Sequence, residues 1–534
     1  MKSFFFSFLI ILTGFAAQAQ APEIEWQKSY GGTNDEEARS IQQTADGGYI
    51  VSGYSNSNND DVTNNHGDLD YWVVKLNNAG AVQWQKSLGG TGRDMAYSVQ
   101  QTTDGGYIVA GNSTSNDGDV TDNHGGGYYD ENATWVNFAD YWIIKLDDAG
   151  VVEWEKSLGG TSNDCGASVQ QVEDGGYIVA GYSVSNDGDV TGNHGDMDCW
   201  IVKLDNSGAI KWQKSLGGSD NDNVFSVQST TDGGYVIAGL SASNDGDVSG
   251  NHGGTDCWIV KLDDTGAIEW QKSLGGSGYD AASSIRQTTD GGYIVSGLSV
   301  SNDGDVTGNH GDMDCWIVKL DDTGAIEWQK SLGGSGYDAT SSIRQTTDGG
   351  YIVSGLSVSN NGDVSSNNGN MDCWIVKLNN AGVIEWQRSF GGSDFDYTTS
   401  IRQTTDGGYI IAGFSTSDDG DVSGNHGGSD YWIVKLSGTT GINDTDAETA
   451  NRLLLYPNPN KGSFILEGVV PGPGNYTLTI TDVSAQQVYK QHIKISAGNT
   501  LHREINTGNL LPGVYFLHLL KDNESIAVKK FTVE

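Results

Sequence analysis

The chain contains a tandem repeat, and this feature constrains its fold more than any other. A Trp within the motif W-[QE]-[KR]-S recurs in steps of 58, 70, 58, 58, 58 and 58 residues. A second Trp, within D-[YC]-W-[IV], and the Asp of D-G-G-Y follow the same steps. Each series has seven members, and a fixed period of this kind is typical of repeat architectures. The first series is Trp26, Trp84, Trp154, Trp212, Trp270, Trp328 and Trp386.

Each repeat contains four strand-like runs. In the third copy they are residues 167–171, 176–182, 199–204 and 209–215. They are rich in β-branched and aromatic residues and are bounded by Gly, Asn or Asp, which is typical of strands separated by tight turns. Four antiparallel strands per repeat predict one blade of a β-propeller.

The two ends of the repeat region predict a closed ring. A fourth-type strand at residues 23–29 precedes any first-type strand, and the seventh copy stops after its third strand at residues 431–436. If the early strand completes the last blade, no sheet edge is left exposed. The predicted fold is therefore all-β: a seven-bladed β-propeller over residues 20–436, followed by a small Ig-like β-sandwich. The repeats resemble the "delta-sixty" repeats of secreted bacterial propellers, through D-G-G-Y-I-V-[AS]-G and D-Y-W-I-V-K-L.

The C-terminal part of the chain differs from the repeats. A polar linker is predicted at residues 437–451, and alternating strands follow at residues 452–534. This segment resembles the type A C-terminal sorting domain of the type IX secretion system of Bacteroidetes. The resemblance implies export by that machinery, removal of the domain, and release or attachment to surface lipopolysaccharide. The residues that carry it are Tyr456, Pro457, Asn458, Pro459, Gly462, Gly513, Tyr515, Lys529 and Lys530.

The N-terminus predicts export from the cytoplasm. Met1 and Lys2 precede an apolar run at residues 4–15 and the sequence Ala-Gln-Ala at residues 17–19, the order found in secretory signal peptides. We therefore expect a signal peptide at residues 1–19. No later stretch is apolar enough for a transmembrane segment. The sequence thus predicts a protein that is secreted or held at the outer-membrane surface.

The charge of the chain excludes some partners. The formal net charge is -40, and a field of this sign repels nucleic acid and anionic membranes. The five cysteines do not suggest a disulfide framework. Four of them occupy one position of the repeat, where the remaining copies have Tyr71, Tyr141 and Tyr431, so we expect unbridged packing residues. These four are Cys199, Cys257, Cys315 and Cys373.

The long loop between the second and third strands suggests calcium as a cofactor. Its sequence motif, S-x-S-N-D-G-D-V, places two carboxylates around a Gly. Carboxylate oxygens can bind a hard cation such as calcium. The alternative is that Asp, Asn and Ser build turns through bonds to the backbone, and Asn59 and Asn361 replace one acid in two copies. The candidate ligands are Asp117, Asp119, Asp187, Asp189, Asp245, Asp247, Asp303, Asp305, Asp419 and Asp421.

Two further polar residues recur in the repeats. Six copies carry a His in the long loop, which we interpret as a turn residue rather than a zinc ligand. An Asp follows each G-G-[ST], and it either forms a ring of carboxylates near the channel or caps backbone N–H groups between blades. The latter series is Asp35, Asp94, Asp164, Asp222, Asp280, Asp338 and Asp396.

An insert of about 12 residues in the second repeat breaks the symmetry. It reads GYYDENATWVNF, and its aromatic and acidic side chains form a candidate patch for a glycan or another ligand. The alternative is a loop that folds over the neighbouring blade. The candidate residues are Tyr128, Tyr129, Asp130, Trp135 and Phe138.

The repetition argues against catalysis. A catalytic site needs different residues in different roles, and near-identical repeats do not provide them. We find no serine elbow, metalloprotease helix or phosphate loop. The sequence favours a non-catalytic, adhesin-like binding scaffold that engages glycans or proteins. The alternatives are a polysaccharide-active enzyme on a propeller, and a calcium-stabilised structural protein of the cell surface.

Overall fold

The structure is a computed structural model with two compact units, Met1–Thr439 and Thr440–Glu534. It describes residues 21–125, 127–129, 135–438, 454–456, 462–470, 472, 474–482, 486–495, 500–508, 510, 513–521 and 524–533. The predicted signal peptide, and the predicted linker apart from residues 437 and 438, lie outside these ranges.

Seven four-stranded antiparallel sheets make up the first unit across the described ranges, and each is one blade of the predicted propeller. The first strand of the chain, β1 (Ile24–Tyr30), belongs to the last blade. Blade 1 is β2 (Glu36–Gln43), β3 (Tyr49–Ser55), β4 (Asp70–Leu76) and β5 (Val82–Leu88). Blade 2 begins with β6 (Asp94–Gln101) and β7 (Tyr107–Ser113), continues through the short hairpin β8 (Gly127–Tyr129) and β9 (Trp135–Asn137), and ends with β10 (Asp140–Leu146) and β11 (Val152–Leu158).

The next three blades follow one pattern without insertions. Blade 3 is β12 (Asp164–Gln171), β13 (Tyr177–Ser183), β14 (Asp198–Leu204) and β15 (Ile210–Leu216). Blade 4 is β16 (Asp222–Ser229), β17 (Tyr235–Ser241), β18 (Asp256–Leu262) and β19 (Ile268–Leu274). Blade 5 is β20 (Asp280–Gln287), β21 (Tyr293–Ser299), β22 (Asp314–Leu320) and β23 (Ile326–Leu332).

The last two blades complete the ring. Blade 6 is β24 (Asp338–Gln345), β25 (Tyr351–Ser357), β26 (Asp372–Leu378) and β27 (Ile384–Phe390). Blade 7 is β28 (Asp396–Gln403), β29 (Tyr409–Ser415) and β30 (Asp430–Leu436), completed by β1. The strands predicted for the third repeat agree with β12 to β15 within three residues at each end.

The second and third strands of each blade are buried on both faces because neighbouring blades cover them. In β14 all seven residues, Asp198 to Leu204, are buried. The hydrophobic clusters therefore span two blades: Ile178 and Ile201 of blade 3 pack in one cluster with Trp258 and Val260 of blade 4. The Trp of each third strand is at most 2% exposed. All five cysteines are unpaired, as was predicted for the four that alternate with Tyr.

The early strand closes the ring as predicted. β1 pairs antiparallel with β30, with Tyr30 opposite Tyr431 and Ile24 opposite Leu436. Trp432 Nε1 donates to Gln27 Oε1 at 3.0 Å, which repeats the bond from Trp72 Nε1 to Gln85 Oε1 at 2.9 Å within blade 1. The displaced strand thus takes the place of an ordinary fourth strand.

The second unit has two sheets in its described part. A three-stranded sheet contains β31 (Leu454–Tyr456), β32 (Ser463–Val469) and β35 (Thr500–Asn506). A four-stranded sheet contains β33 (Gly474–Asp482), β34 (Gln487–Ile495), β36 (Gly513–Lys521) and β37 (Glu524–Val533). Leu466, Leu478 and Leu517 are fully buried in their common core. This arrangement agrees with the predicted small sandwich.

Ring closure predicts the effect of removing β1. Deletion of residues 21–30 exposes the edge of β30 and removes Tyr30 from the core shared by blades 7 and 1. We expect a lower melting temperature and self-association through the free edge. Calorimetry and size-exclusion chromatography measure both effects. A deletion that stays monomeric and melts like the intact chain would contradict closure by β1.

Candidate functional site

The two ends of each blade carry different connections. Neighbouring antiparallel strands turn at alternate ends, so the D-G-G and D-[DN]-x-G hairpins lie on one side of the ring. The long loop between the second and third strands lies on the other side, together with the crossover to the next blade. We call this second side the crossover face.

Loop carboxylates on the crossover face hold the crossovers. Asp117 Oδ1 accepts a hydrogen bond from Thr91 N at 2.7 Å, and Asp119 Oδ2 lies 3.2 Å from Gly89 N. Asp187, Asp245, Asp303 and Asp419 accept bonds from the backbone N–H groups of Thr161, Ser219, Ser277 and Ser393. Asp189, Asp247, Asp305 and Asp421 accept longer bonds from Gly159, Gly217, Gly275 and Gly391.

The same bonds form where the loop has an amide. Asn59 Oδ1 accepts from Thr33 N at 3.1 Å, and Asn361 Oδ1 accepts from Ser335 N at 2.8 Å. The position therefore needs an acceptor rather than a charge. Among the residues that the structure describes, no group of three or more His, Cys, Asp or Glu is placed to hold a metal ion. Calcium binding by the ten loop aspartates stays a prediction, and their contacts favour the turn-building alternative.

The carboxylate after each G-G-[ST] caps the crossover backbone. Asp94 Oδ2 accepts from Gly90 N at 2.8 Å and from Ser115 Oγ at 2.9 Å. Asp164, Asp222, Asp280, Asp338 and Asp396 accept the equivalent backbone bond. Including Asp35 in this series was wrong: Glu36 accepts from Gly32 N at 2.7 Å, whereas Asp35 accepts from Ser429 N.

The first residue of each third strand is a buried Asp with one oxygen left unpaired. Asp70 Oδ2 accepts from His66 N, and His66 Nδ1 lies 2.7 Å from the same oxygen. Asp70 Oδ1 is buried and has no hydrogen-bond partner, and the same is true within the described ranges for Asp140, Asp198, Asp256, Asp314, Asp372 and Asp430. Burial raises the pKa of Asp70 and Asp430 to about 6, although the bonds from His66 and His426 oppose the rise. The loop His residues thus have a local structural contact, as the turn interpretation requires.

The insert of blade 2 is only partly described. Tyr128 pairs with Val136, and Tyr129 pairs with Trp135, in the β8–β9 hairpin. The side chains of Tyr128, Tyr129 and Trp135 and the whole of Asp130 lie outside the described part of the structure. Phe138 is half-buried. The predicted loop is therefore a short hairpin, and its role as a ligand patch stays a prediction.

Two departures from symmetry were missed by the sequence analysis. At the residue before the capping carboxylate, blades 5, 6 and 7 carry exposed aromatic side chains. The other blades carry polar residues there: Asp35, Arg93, Asn163 and Asn221. In the central channel, the same three blades carry Arg where the other four carry Gln. Both differences are visible in the sequence. The first is Tyr or Phe before the capping Asp, and the second is I-R-Q in place of I-Q-Q, V-Q-Q or V-Q-S.

The sorting-motif residues are placed in part. Gly462 has a φ of 85°, and its carbonyl accepts from Thr507 N at 2.9 Å. Gly513 begins β36, and Tyr515 is buried in the core. Pro457, Asn458 and Pro459 lie outside the described residues, as do the side chains of Tyr456, Lys529 and Lys530.

Residues 454–534 match the family model described as a secretion system C-terminal sorting domain. The match confirms the type IX sorting domain predicted from the motifs of the tail. The chain is therefore an exported propeller protein, secreted or held at the outer-membrane surface, and its tail is the segment recognised by the type IX machinery. Among the described residues, no helix is long and apolar enough to cross a membrane.

Similarity to curated proteins is limited to part of the chain. Regulatory protein FlaEY of Caulobacter vibrioides is 26% identical over 160 residues. The alignment covers 28% of this chain and 17% of that protein, so the chain spans less than a fifth of its relative's length.

Several solved structures resemble the chain at low identity. Sqt1 from Chaetomium thermophilum is 11% identical with a TM-score of 0.39, covering 78% of this chain and 100% of that one. PorZ, a surface component of the type IX secretion system of Porphyromonas gingivalis, is 11% identical with a TM-score of 0.24, covering 93% and 81%. A puromycin hydrolase is 12% identical with a TM-score of 0.43, covering 82% and 60%. Because these scores are low, the fold rests on the sheet topology of the chain itself.

Substitution of Asp245 separates the turn role from calcium binding. Asp245→Asn keeps an acceptor for Ser219 N, so we expect almost no change in the free energy of unfolding. Asp245→Ala removes it and costs roughly 0.5–1.5 kcal/mol. Denaturant unfolding in CaCl2 and in EDTA measures both variants. Stabilisation of the wild type by calcium that both variants lose equally would contradict the turn role.

The buried carboxyls predict that stability rises towards mildly acidic pH. The pKa of Asp70 is about 6 in the folded chain and near 3.9 in an unfolded one. Between pH 4 and 6 the folded state binds more protons, so stability falls as the pH rises through this window. Asp232 affects the pH dependence of stability only at lower pH. Its hydrogen bonds from Thr230 and Lys261 outweigh burial and lower its pKa to about 2.

The test compares melting temperatures between pH 5 and pH 7. We expect Asp70→Asn to reduce the gain at pH 5 by about 1.4 kcal/mol, because pH 5 lies about one unit below the folded pKa of Asp70. The matched control is Asp68→Asn, at a half-exposed carboxylate two residues away. Equal pH profiles for wild type and Asp70→Asn would show that Asp70 does not titrate in this range.

Proposed function

We propose that this protein is a non-catalytic binding scaffold at the cell surface that engages neutral glycans on its crossover face. The observation that carries the proposal is a row of three exposed aromatic side chains in adjacent blades, which we call the aromatic arc. Tyr279, Tyr337 and Phe395 form it, and they are 42%, 38% and 51% exposed. Exposed aromatic residues that recur side by side are typical of binding surfaces.

Apolar neighbours extend the aromatic arc. Val300 N donates to Tyr279 O at 3.1 Å, and Val358 N donates to Tyr337 O at 3.0 Å. Both valines are exposed. Burial raises the pKa of Tyr337, so part of this side chain is withdrawn from solvent. An exposed valine therefore lies beside two of the three aromatic residues of the arc.

The surroundings of the aromatic arc suit an uncharged sugar. Aromatic rings offer a flat apolar face to the C–H groups of a ligand, while a Tyr hydroxyl offers a polar handle. The loops on the same face provide carboxylate and amide groups that can bond to hydroxyl groups. The net charge of -40 disfavours polyanionic chains. A neutral glycan satisfies all three conditions.

The carboxylates support a binding role over a catalytic one. Those that recur in the ring are engaged with backbone N–H groups of the crossovers, as Asp94 is with Gly90. The equivalent residues repeat from blade to blade, whereas catalysis requires distinct partners. The aromatic arc is confined to blades 5 to 7 and has the asymmetry that a specific site needs.

Replacement of the arc by the residue found in blades 3 and 4 tests the proposal. We expect the triple variant Tyr279→Asn, Tyr337→Asn and Phe395→Asn to fold normally, because Asn163 and Asn221 occupy this position already. Binding to neutral glycans on an array should fall at least about tenfold, since aromatic anchors dominate such interfaces. The control is Val151→Asn with Val383→Asn, two exposed residues on the opposite face.

Three results would contradict the proposal. The first is unchanged glycan binding by the triple variant, and the second is no binding of neutral glycans by the wild type. The third is turnover of a bound polysaccharide, which would favour an enzyme on the propeller.

The insert of blade 2 is a second candidate surface in the same screen. We propose Tyr128, Tyr129, Asp130, Trp135 and Phe138 as its patch, because the insert is absent from the other blades. The variant Tyr128→Ala, Tyr129→Ala and Trp135→Ala shows whether binding lies there instead. Loss of binding in this variant alone would assign the glycan to the insert.

A further inference from the structure

The central channel contains a cavity with an uneven distribution of charge. Its volume is about 580 Å³, and the first strands of the blades line it. None of the described residues that line it is Asp or Glu. At one position of the first strand, blades 1 to 4 carry Gln and blades 5 to 7 carry Arg. This ring of residues is Gln42, Gln100, Gln170, Gln228, Arg286, Arg344 and Arg402.

The four glutamines connect neighbouring blades. Gln42 Oε1 accepts from Gln101 N at 2.8 Å, and Gln228 Oε1 accepts from Gln287 N at 2.7 Å. Gln100 and Gln170 accept the equivalent bonds from Gln171 N and Ser229 N. A guanidinium has no acceptor, so Arg cannot make this bond. Blades 5, 6 and 7 therefore carry arginine at the expense of an interblade hydrogen bond.

The three arginines, which we call the arginine cluster, have no carboxylate partner among the described residues. Arg286 Nη1 donates to Ser226 Oγ at 3.0 Å and to Ile285 O at 2.5 Å. Arg344 Nη1 donates to Ile343 O at 2.9 Å, and Arg402 Nε donates to Ile41 O at 3.4 Å. Arg344 Nε is buried without a hydrogen-bond partner. Most of the five donors of each guanidinium thus have no protein partner among the described residues.

The buried lysines of the ring, unlike the arginine cluster, are paired with carboxylates. Lys145 Nζ lies 3.0 Å from Asp104 and 2.9 Å from Glu153. Lys319 and Lys377 have equivalent pairs of carboxylates. In a chain with 69 acidic residues, an unpaired group of three arginines stands out. The chain neutralises buried lysines but leaves the arginine cluster uncompensated.

Burial in the channel disfavours the charged form of these arginines and lowers the pKa of two of them. Burial, together with the like charge of Arg402, lowers the pKa of Arg286 to about 9. Burial also lowers the pKa of Arg402 to about 10. Both groups remain charged at neutral pH, so an anion in the cavity would relieve their repulsion.

We propose that the arginine cluster binds a small anionic ligand, with a carboxylate, sulfate or phosphate group, inside the central channel. Guanidinium groups bind these planar or tetrahedral anions with paired hydrogen bonds. The cavity has the size of an ordinary small-molecule site, about 300–1,000 Å³. Its side-chain amides and hydroxyls can bond to the remainder of the ligand. This site is independent of the aromatic arc, and its test does not depend on glycan binding.

The experiment is calorimetric titration of the full chain with sodium sulfate, sodium phosphate and sodium acetate at low ionic strength. We expect saturable one-site binding of at least one anion, and the three arms identify the preferred group. The variant Arg286→Gln, Arg344→Gln and Arg402→Gln introduces the residue of blades 1 to 4. It should fold, because Gln can restore the interblade bonds, and should bind at least about 100-fold more weakly.

The controls keep the result interpretable. Lys86→Gln, Lys214→Gln and Lys330→Gln remove the same charge from outermost strands and should bind like the wild type. If the triple arginine variant does not fold, Arg344→Gln alone should weaken binding about tenfold. Absence of saturable binding by the wild type to all three anions would overturn the proposal. Equal affinities of the wild type and a folded arginine variant would also overturn it.

Discussion

The structure depends on one constraint: a blade has two apolar faces and can bury them only against other blades. In β14 every residue is buried, although the blade itself is one sheet thick. Each hydrophobic cluster of the ring therefore takes residues from two blades, as Ile201 and Trp258 show. No blade has a core of its own, so the stability of each depends on its neighbours. The strand β1 follows from the same constraint, because it completes the last blade and leaves no edge open.

Polar side chains stabilise the connections between the blades. The crossovers between blades expose backbone N–H groups that no strand can pair, and loop carboxylates accept their bonds. Asp117 accepts from Thr91 N and Asp94 accepts from Gly90 N of the same crossover. The acidity of the chain is thus largely explained by the needs of the backbone. Specific binding is left to positions where blades differ, such as Tyr279 and Arg286.

The periodicity made most of the fold predictable from sequence. Blade number, strand positions and ring closure all follow from where Trp and D-G-G-Y recur, because the repeat fixes which strands are neighbours. The candidate sites were harder to predict. Each first strand contains a bulge, such as that between Ala38 and Ser40. The bulge interrupts the alternation of side chains between the two faces of the sheet. The sequence alone therefore did not show that Arg286 lines the channel. In blade 1, Glu36 replaces Asp at the capping position, and its longer side chain hid the equivalence from a search for Asp.

The pairing of β1 with β30 also sets the order of folding. The bond from Trp432 to Gln27 joins residues 405 positions apart. Contacts at such separation carry a large loop-closure entropy and form slowly, whereas each hairpin can form as soon as its strands are available. The strand β1 is therefore synthesised first but can pair only after β30 has been made. Until residue 436 is available, β1 has no partner strand, so we expect ring closure to follow the formation of the individual blades.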